Sequence, residues 1–213
     1  MRRQNLLKEG KPAEHIFVTG NTVIDALDTT VRSDYTHPEI EWARGSPLLL
    51  LTAHRRENLG EPMREMFRAI RRIVDETPDI KVIYPMHKNP AVREMARACF
   101  GGQERIHMIE PLDVLDFHNV MAHAYLIMTD SGGIQEEAPA LGKPVLVMRD
   151  TTERPEGVVA GTLKLVGTDE NTIYAAVREL LTDPAAYHEM EHAVNPYGPA
   201  ATSPIFWPAS FRA

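Results

Sequence analysis

The sequence predicts an α/β fold, a parallel β-sheet with helices on both faces. Three observations carry that expectation. Short apolar runs alternate with amphipathic stretches from residue 47 onward. The runs are continuous, as expected of strands buried on both faces. Polar and charged residues collect in the loops that follow them: "HRREN", "HKNP", "EPLD", "DSGGIQEE" and "RDTTERPEG". That is where a parallel sheet presents its ligand sites.

The elements follow in order. Residues 1–46 hold one strand-like piece, "IFVTGN", and one short helix, "TVIDAL", and then read as a polar linker. Strand 48–52, "LLLLT", precedes a helix whose stripe is Met63, Met66, Phe67, Ile70, Ile73 and Val74. Strand 80–86 leads into a helix opened by Asn89-Pro90, an N-cap and N1 pair. Strands at 105–110 and 125–130 flank a helix over 113–123, and strands at 144–148 and 162–167 complete the sheet. Helices over 169–182 and 184–193 close the pattern, the second ended by Asn195-Pro196. Beyond residue 198, "PAATSPIFWPASFRA" has no periodicity and reads as an irregular tail.

Composition narrows the function classes. The 213 residues suit one medium domain or two small ones, and 43% hydrophobic content supports a sizeable core. A net charge of −7 without a basic stripe argues against nucleic acid as a partner. The single cysteine, Cys99, excludes an internal disulfide and suits a reducing cytoplasm. The basic N-terminus lacks the apolar core of a signal peptide. The longest apolar stretch, "PLLLLTA", falls well short of the ~20 residues of a membrane span. A cytoplasmic protein without membrane contact is expected.

Several loop residues could carry chemistry. Ser131, Gly132 and Gly133 stand where a strand turns into a helix, whose unpaired amides and partial positive charge suit a phosphate. The alternative is a turn that needs glycine only for positive φ. Glu136 and Glu137 either complement the helix dipole or accept hydrogen bonds from a ribose diol. His54, Arg55 and Arg56 suit anionic oxygens, or form a solvated loop paired with Glu57. Arg149 and Arg154 add charge after the fifth strand, while His87 alone reads more simply as structural. "HEMEH", residues 188–192, is a literal H-E-x-x-H. It sits on a short terminal helix with no evident third ligand, so no metal site is expected; stoichiometric zinc lost together with activity on chelation would reverse that.

Taken together, "VTGNTVIDAL", "LTAHRREN", "YPMHKNP", "EPLDVLDFHN", "LIMTDSGGIQEEAPALGKPVLVMRDTTERPEG" and "AGTLKLVGTD" make the chain resemble the non-hydrolysing UDP-N-acetylglucosamine 2-epimerases of bacteria. The resemblance spans about residues 1–198. It implies a Rossmann-like domain over 47–198, one half of a two-domain GT-B-type fold, preceded by a hinge segment over 1–46. It also implies interconversion of UDP-GlcNAc and UDP-ManNAc through elimination and re-addition of UDP, with no metal and no cofactor.

Roles carry over by position. Ser131, Gly132 and Gly133 would bind the diphosphate, Glu137 the ribose hydroxyls, and Phe117 the uracil. His54, in a supporting catalytic role, and Arg154 would lie near phosphates and sugar. Arg55 and His87 match positions that contact an activating second UDP-GlcNAc. The family's other domain supplies the carboxylates for C2 chemistry, and this chain matches only the nucleotide half. It is therefore expected to be inactive alone, its partner a second copy or a separate chain carrying the other domain. The tail over 199–213 departs from the family and has the composition of an out-of-frame reading. A stand-alone nucleotide-sugar-binding domain and half of a glycosyltransferase are the alternatives.

Overall fold

The computed structural model describes residues 2–16 and 21–198. Six strands, β1 (Leu48–Thr52), β2 (Lys81–Pro85), β3 (Ile106–Ile109), β4 (Leu126–Thr129), β5 (Val145–Val147) and β6 (Leu163–Leu165), form one sheet. Its order is β3-β2-β1-β4-β5-β6, and every pairing is parallel. This is the Rossmann order, with the chain reversing direction of travel between β1 and β4.

β1 is buried along its whole length because alternate leucines serve two cores. Leu49 and Leu51 face α4 (Glu61–Glu76), α5 (Pro90–Phe100) and α9 (Glu170–Thr182). Leu48 and Leu50 face α3 (Pro38–Ala43), α6 (Val114–His123) and α7 (Ile134–Ala140). Phe67, Tyr84 and Phe100 interlock in the first core, with Phe67 centroids 5.6 and 4.8 Å from the other two. The Tyr84 hydroxyl donates to the Ala53 carbonyl at 2.8 Å, so the loop after β1 is tied to β2.

The lead-in is more structured than its sequence predicts. The expected helix at "TVIDAL" is α2 (Thr22–Thr30), capped by Asn21, whose Oδ1 accepts from the Val23 amide at 3.1 Å. The expected polar linker contains α3, capped by His37 with Pro38 at its first position, and it buries Ile40 and Ala43 in the second core. Six residues with two buried positions are too short for a periodic signal, which is why the sequence reads as linker. A further short helix, α1 (Arg2–Lys8), precedes them. Most of "IFVTGN" and all of the tail after 198 lie outside the described residues. Among the described residues no helix is long and apolar enough to cross a membrane.

Asn119 of α6 pins this lead-in. It is fully buried, its Oδ1 accepts from the Arg32 amide at 2.9 Å, and its Nδ2 donates to Thr30 O and Leu115 O at 2.7 and 2.8 Å. Replacing Asn119 with Ala leaves those groups without their side-chain partner. Urea unfolding of Asn119→Ala is expected to give a loss of about 2–3 kcal/mol, with no change expected if residues 21–46 were an undocked linker.

Candidate functional site

The crevice at the β1/β4 switch point is where the chain brings its polar loops together. After β1 the chain passes to α4 on one face, and after β4 it passes to α7 on the other. The two loops therefore part, and their backbone groups face the gap between them.

Asp130, immediately after β4, holds the two loops in register. It is 0% exposed. Its Oδ2 accepts from the backbone amides of His54 and Arg55 at 2.9 and 2.8 Å and from Asn58 Nδ2 at 3.4 Å. Its carbonyl accepts from Arg55 Nε at 2.8 Å. Among the described residues the other carboxylate oxygen, Oδ1, has no hydrogen-bond partner, and it lies 3.4 Å from His54 Nδ1. Sequence reading missed this residue, because an aspartate after a strand looks like any loop polar group until its partners 75 and 76 positions earlier are seen.

The Ser-Gly-Gly turn follows. Gly133 has φ −67° and ψ −48°, and neither Gly132 nor Gly133 has positive φ. The reading in which these glycines exist to supply a left-handed turn is therefore wrong. What they supply is room. A Cβ on Gly133 would sit 3.2 Å from Glu137 Oε1, and one on Gly132 would meet Arg55 Nη2 and Glu153 Oε2 at 3.7 and 3.8 Å. The turn is thus bordered by a carboxylate on one side and a guanidinium with its counter-ion on the other.

The adjacent glutamates point to different partners. Glu136 is buried and accepts from Arg154 Nε and Asn21 Nδ2. It is a structural anchor that ties the loop before α8 (Pro155–Ala160) and the cap of α2 to α7. Glu137 Oε2 lies 3.6 Å from His118 Nε2, and its Oε1 overhangs Gly133. Arg154 is therefore fixed by Glu136 rather than extended toward solvent.

His54, His87 and Phe117 meet in one cleft of about 410 Å³, together with Pro85, Leu112 and Ile134. The imidazoles of His54 and His87 stack with centroids 5.3 Å apart and planes 13° apart, so His87 is joined to the crevice rather than isolated. Arg55 faces Glu153 and Glu57 at 3.4 and 3.6 Å. The predicted residues thus form two groups flanking the turn: an aromatic and imidazole side, and a charged side.

The charged side centres on Arg149, which is 6% exposed and grips Glu153 through Nη1 and Nη2 at 2.6 and 3.0 Å. Its Nε reaches Glu57 at 3.1 Å. The hydrogen bonds from Arg149 pull the Glu153 carboxyl down to about 2. The "HEMEH" segment stands apart from this arrangement. His188, Glu191 and His192 do converge, with donor atoms within 4.8 Å, so a third donor exists where none was evident from sequence. All three are at the surface, at 69, 33 and 54% side-chain exposure, and the motif's own Glu189 is not among them.

A group whose folded pKa is depressed stabilises the fold above its unfolded value and loses that contribution as pH falls through the folded one. Thermal melting of the unaltered chain and of Glu153→Gln should therefore differ most above 4.5 and converge as pH falls toward about 2. A constant difference across that window would mean that the Arg149–Glu153 pair does not stabilise the loop.

Comparison with known proteins bears on this geometry. The family model for UDP-N-acetylglucosamine 2-epimerase matches residues 1–207. A curated UDP-N-acetylglucosamine 2-epimerase of Bacillus subtilis (strain 168) is 63% identical over 201 residues, covering 94% of this chain and 53% of that protein. The Staphylococcus aureus MnaA–UDP co-structure superposes with a TM-score of 0.90 at 52% identity, covering 94% of this chain and 55% of that one. A Neisseria meningitidis UDP-GlcNAc 2-epimerase bound to UDP-GlcNAc gives 0.85 at 42% identity, covering 92% and 55%. The chain spans about half the length of the relatives it matches. On this sequence match and this fold, the chain belongs to the UDP-N-acetylglucosamine 2-epimerase family.

Proposed function

We propose that this chain is the nucleotide-holding half of a UDP-GlcNAc 2-epimerase, binding the UDP portion of UDP-GlcNAc in the β1/β4 crevice. The observation that carries the reading is the grouping of three kinds of contact around one turn. Phe117 and Ile134 offer apolar surface to a base, Glu137 overhangs the turn within reach of a ribose diol, and Gly132 and Gly133, which carry no Cβ, offer their backbone to a diphosphate between Glu137 and Arg55. His54 and Arg154 border the same crevice, with Arg55 and His87 at its rim as candidates for a second, activating nucleotide sugar. The S. aureus and N. meningitidis relatives whose structures carry UDP and UDP-GlcNAc are consistent with this ligand class.

Proton transfer at C2 of the sugar needs positioned carboxylates with the right protonation state. Three crevice carboxylates of this chain are engaged within it: Asp130 Oδ2 with two backbone amides, Glu136 with Arg154, and Glu153 with Arg149. We infer that interconversion of UDP-GlcNAc and UDP-ManNAc draws its acid and base from a domain outside these residues, in a longer polypeptide or a separate chain. The crevice groups of this chain hold the UDP as it leaves and returns, with charge-assisted hydrogen bonds to its phosphates. Residues 21–46, docked through α2 and α3, belong with the nucleotide domain, and the reducing cytoplasm suits its single Cys99.

Calorimetry with UDP and UDP-GlcNAc, run beside a C2-epimerisation assay, tests the reading. Saturable binding without turnover is expected of the chain alone. No binding at millimolar UDP by folded protein would overturn the crevice assignment, and turnover by the single chain would overturn the missing-carboxylate argument. Gly133→Ala is expected to weaken UDP binding about ten-fold, the worth of one hydrogen bond to a charged group, while leaving the melting temperature nearly unchanged, since its backbone is helical. Equal UDP affinity in Gly133→Ala would mean that the ligand does not approach this turn.

A further inference from the structure

His118 is a polar side chain with almost no solvent access, 3% exposed, in the interior between three helices. It stands on α6 beside Phe117, so one residue of the pair lines the cleft and the next turns inward. Its Nδ1 lies 2.7 Å from Thr30 Oγ1 at the end of α2, and its Nε2 lies 3.6 Å from Glu137 Oε2 in the first turn of α7.

The donor and acceptor count shows which proton arrangement suits the Glu137 side. A carboxylate only accepts, so the nitrogen that faces Glu137 is the one that carries hydrogen. In the neutral ring with hydrogen on Nε2, Nδ1 accepts from the Thr30 hydroxyl, which then gives up its bond to Ala26 O. In the charged ring, Nδ1–H donates to Thr30 Oγ1, which passes its own hydrogen to Ala26 O at 2.9 Å. Either way Nε2–H is directed at Glu137. Thr30 in turn is held by Asn119, whose Nδ2 donates to the Thr30 carbonyl at 2.7 Å. The ring therefore has a fixed support behind it.

We propose that His118 is a positioning residue for Glu137 and, through it, sets preference for ribose over deoxyribose nucleotides. This rests on the nucleotide reading above and adds a specificity device to it. The imidazole edge, 3.6 Å from Oε2, borders that oxygen on the α6 side, while Oε1 stands over Gly133. Each carboxylate oxygen has two lone pairs, so Oε2 can face His118 and a ligand hydroxyl together. Without the imidazole, the Glu137 side chain regains rotamer freedom and a diol meets it less often in the accepting orientation.

The test is calorimetry of the full chain with UDP and 2′-deoxy-UDP, using His118→Leu, His118→Gln, Glu137→Gln and the His118→Leu/Glu137→Gln double variant, each checked for folding by circular dichroism. The unaltered chain is expected to prefer UDP about ten-fold, the worth of one hydrogen bond to a charged group. His118→Leu should lose most of that preference while binding 2′-deoxy-UDP unchanged. His118→Gln, which retains an N–H donor, should recover part of it. In the Glu137→Gln background, His118→Leu should change nothing further. Equal weakening of both ligands in His118→Leu would make His118 a packing residue and overturn the proposal, as would a preference that survives the substitution. Failure of the unaltered chain to bind either ligand is a different pattern: it overturns the nucleotide reading itself, and the positioning role with it.

Discussion

A buried carboxylate shapes the crevice. Asp130 has no solvent exposure, and a carboxyl group in that position is tolerated only when fixed hydrogen-bond donors replace its water. The donors come from the loop after β1: two consecutive backbone amides, the Asn58 side chain and, to the Asp130 carbonyl, the Arg55 guanidinium. The loop over 54–58 cannot take another shape without leaving that buried carboxyl short of donors. Everything else at the site inherits the constraint. His54 is set against Asp130 Oδ1, Arg55 is aimed across Gly132, and the turn over 131–133 leaves β4 on a fixed heading.

Around that fixed point the ionisable groups separate into support and contact. Arg149 with Glu153, and Arg154 with Glu136, are pairs whose members largely satisfy one another, and they brace the loop over 149–154 against α7 and the loop after β1. Glu137 is different, since its Oε2 lies 3.6 Å from His118 Nε2 while its other oxygen overhangs the glycine turn. Two adjacent glutamates therefore play unlike parts because helical geometry turns neighbouring side chains about 100° apart. A glycine turn that suits a phosphate and a carboxylate that would repel one coexist because they address neighbouring parts of one ligand.

Much of this was legible in the sequence, and the limits have physical causes. Strands such as "LLLLT" announce themselves because burial on both faces removes polar residues, and the α4 stripe does so because seven residues of one helix enter one core. The parallel sheet then located the segments that hold His54, Ser131 and Glu137, while Phe117 on α6 came only from the family resemblance. What sequence could not supply were pairings between distant positions. Asp130 with the 54–58 loop, Glu136 with Asn21, and His118 with Thr30 are each separated by more than seventy residues. The sequence left Gly132 and Gly133 between close approach and positive φ for a related reason: a demand for space comes from neighbours brought by the fold, and only the backbone angles exclude the local demand. The helix over 38–43 escaped because six residues carry too little periodicity.

The account's central claim is that the switch-point turn receives the diphosphate. Amide shift mapping of the isotope-labelled chain during a UDP titration tests it most directly. The predicted result is a saturable set of changes largest at Gly132, Gly133 and Ile134, accompanied by changes at Phe117 and Glu137. Saturable changes centred elsewhere, for instance on residues 183–192, with the turn undisturbed, would contradict it.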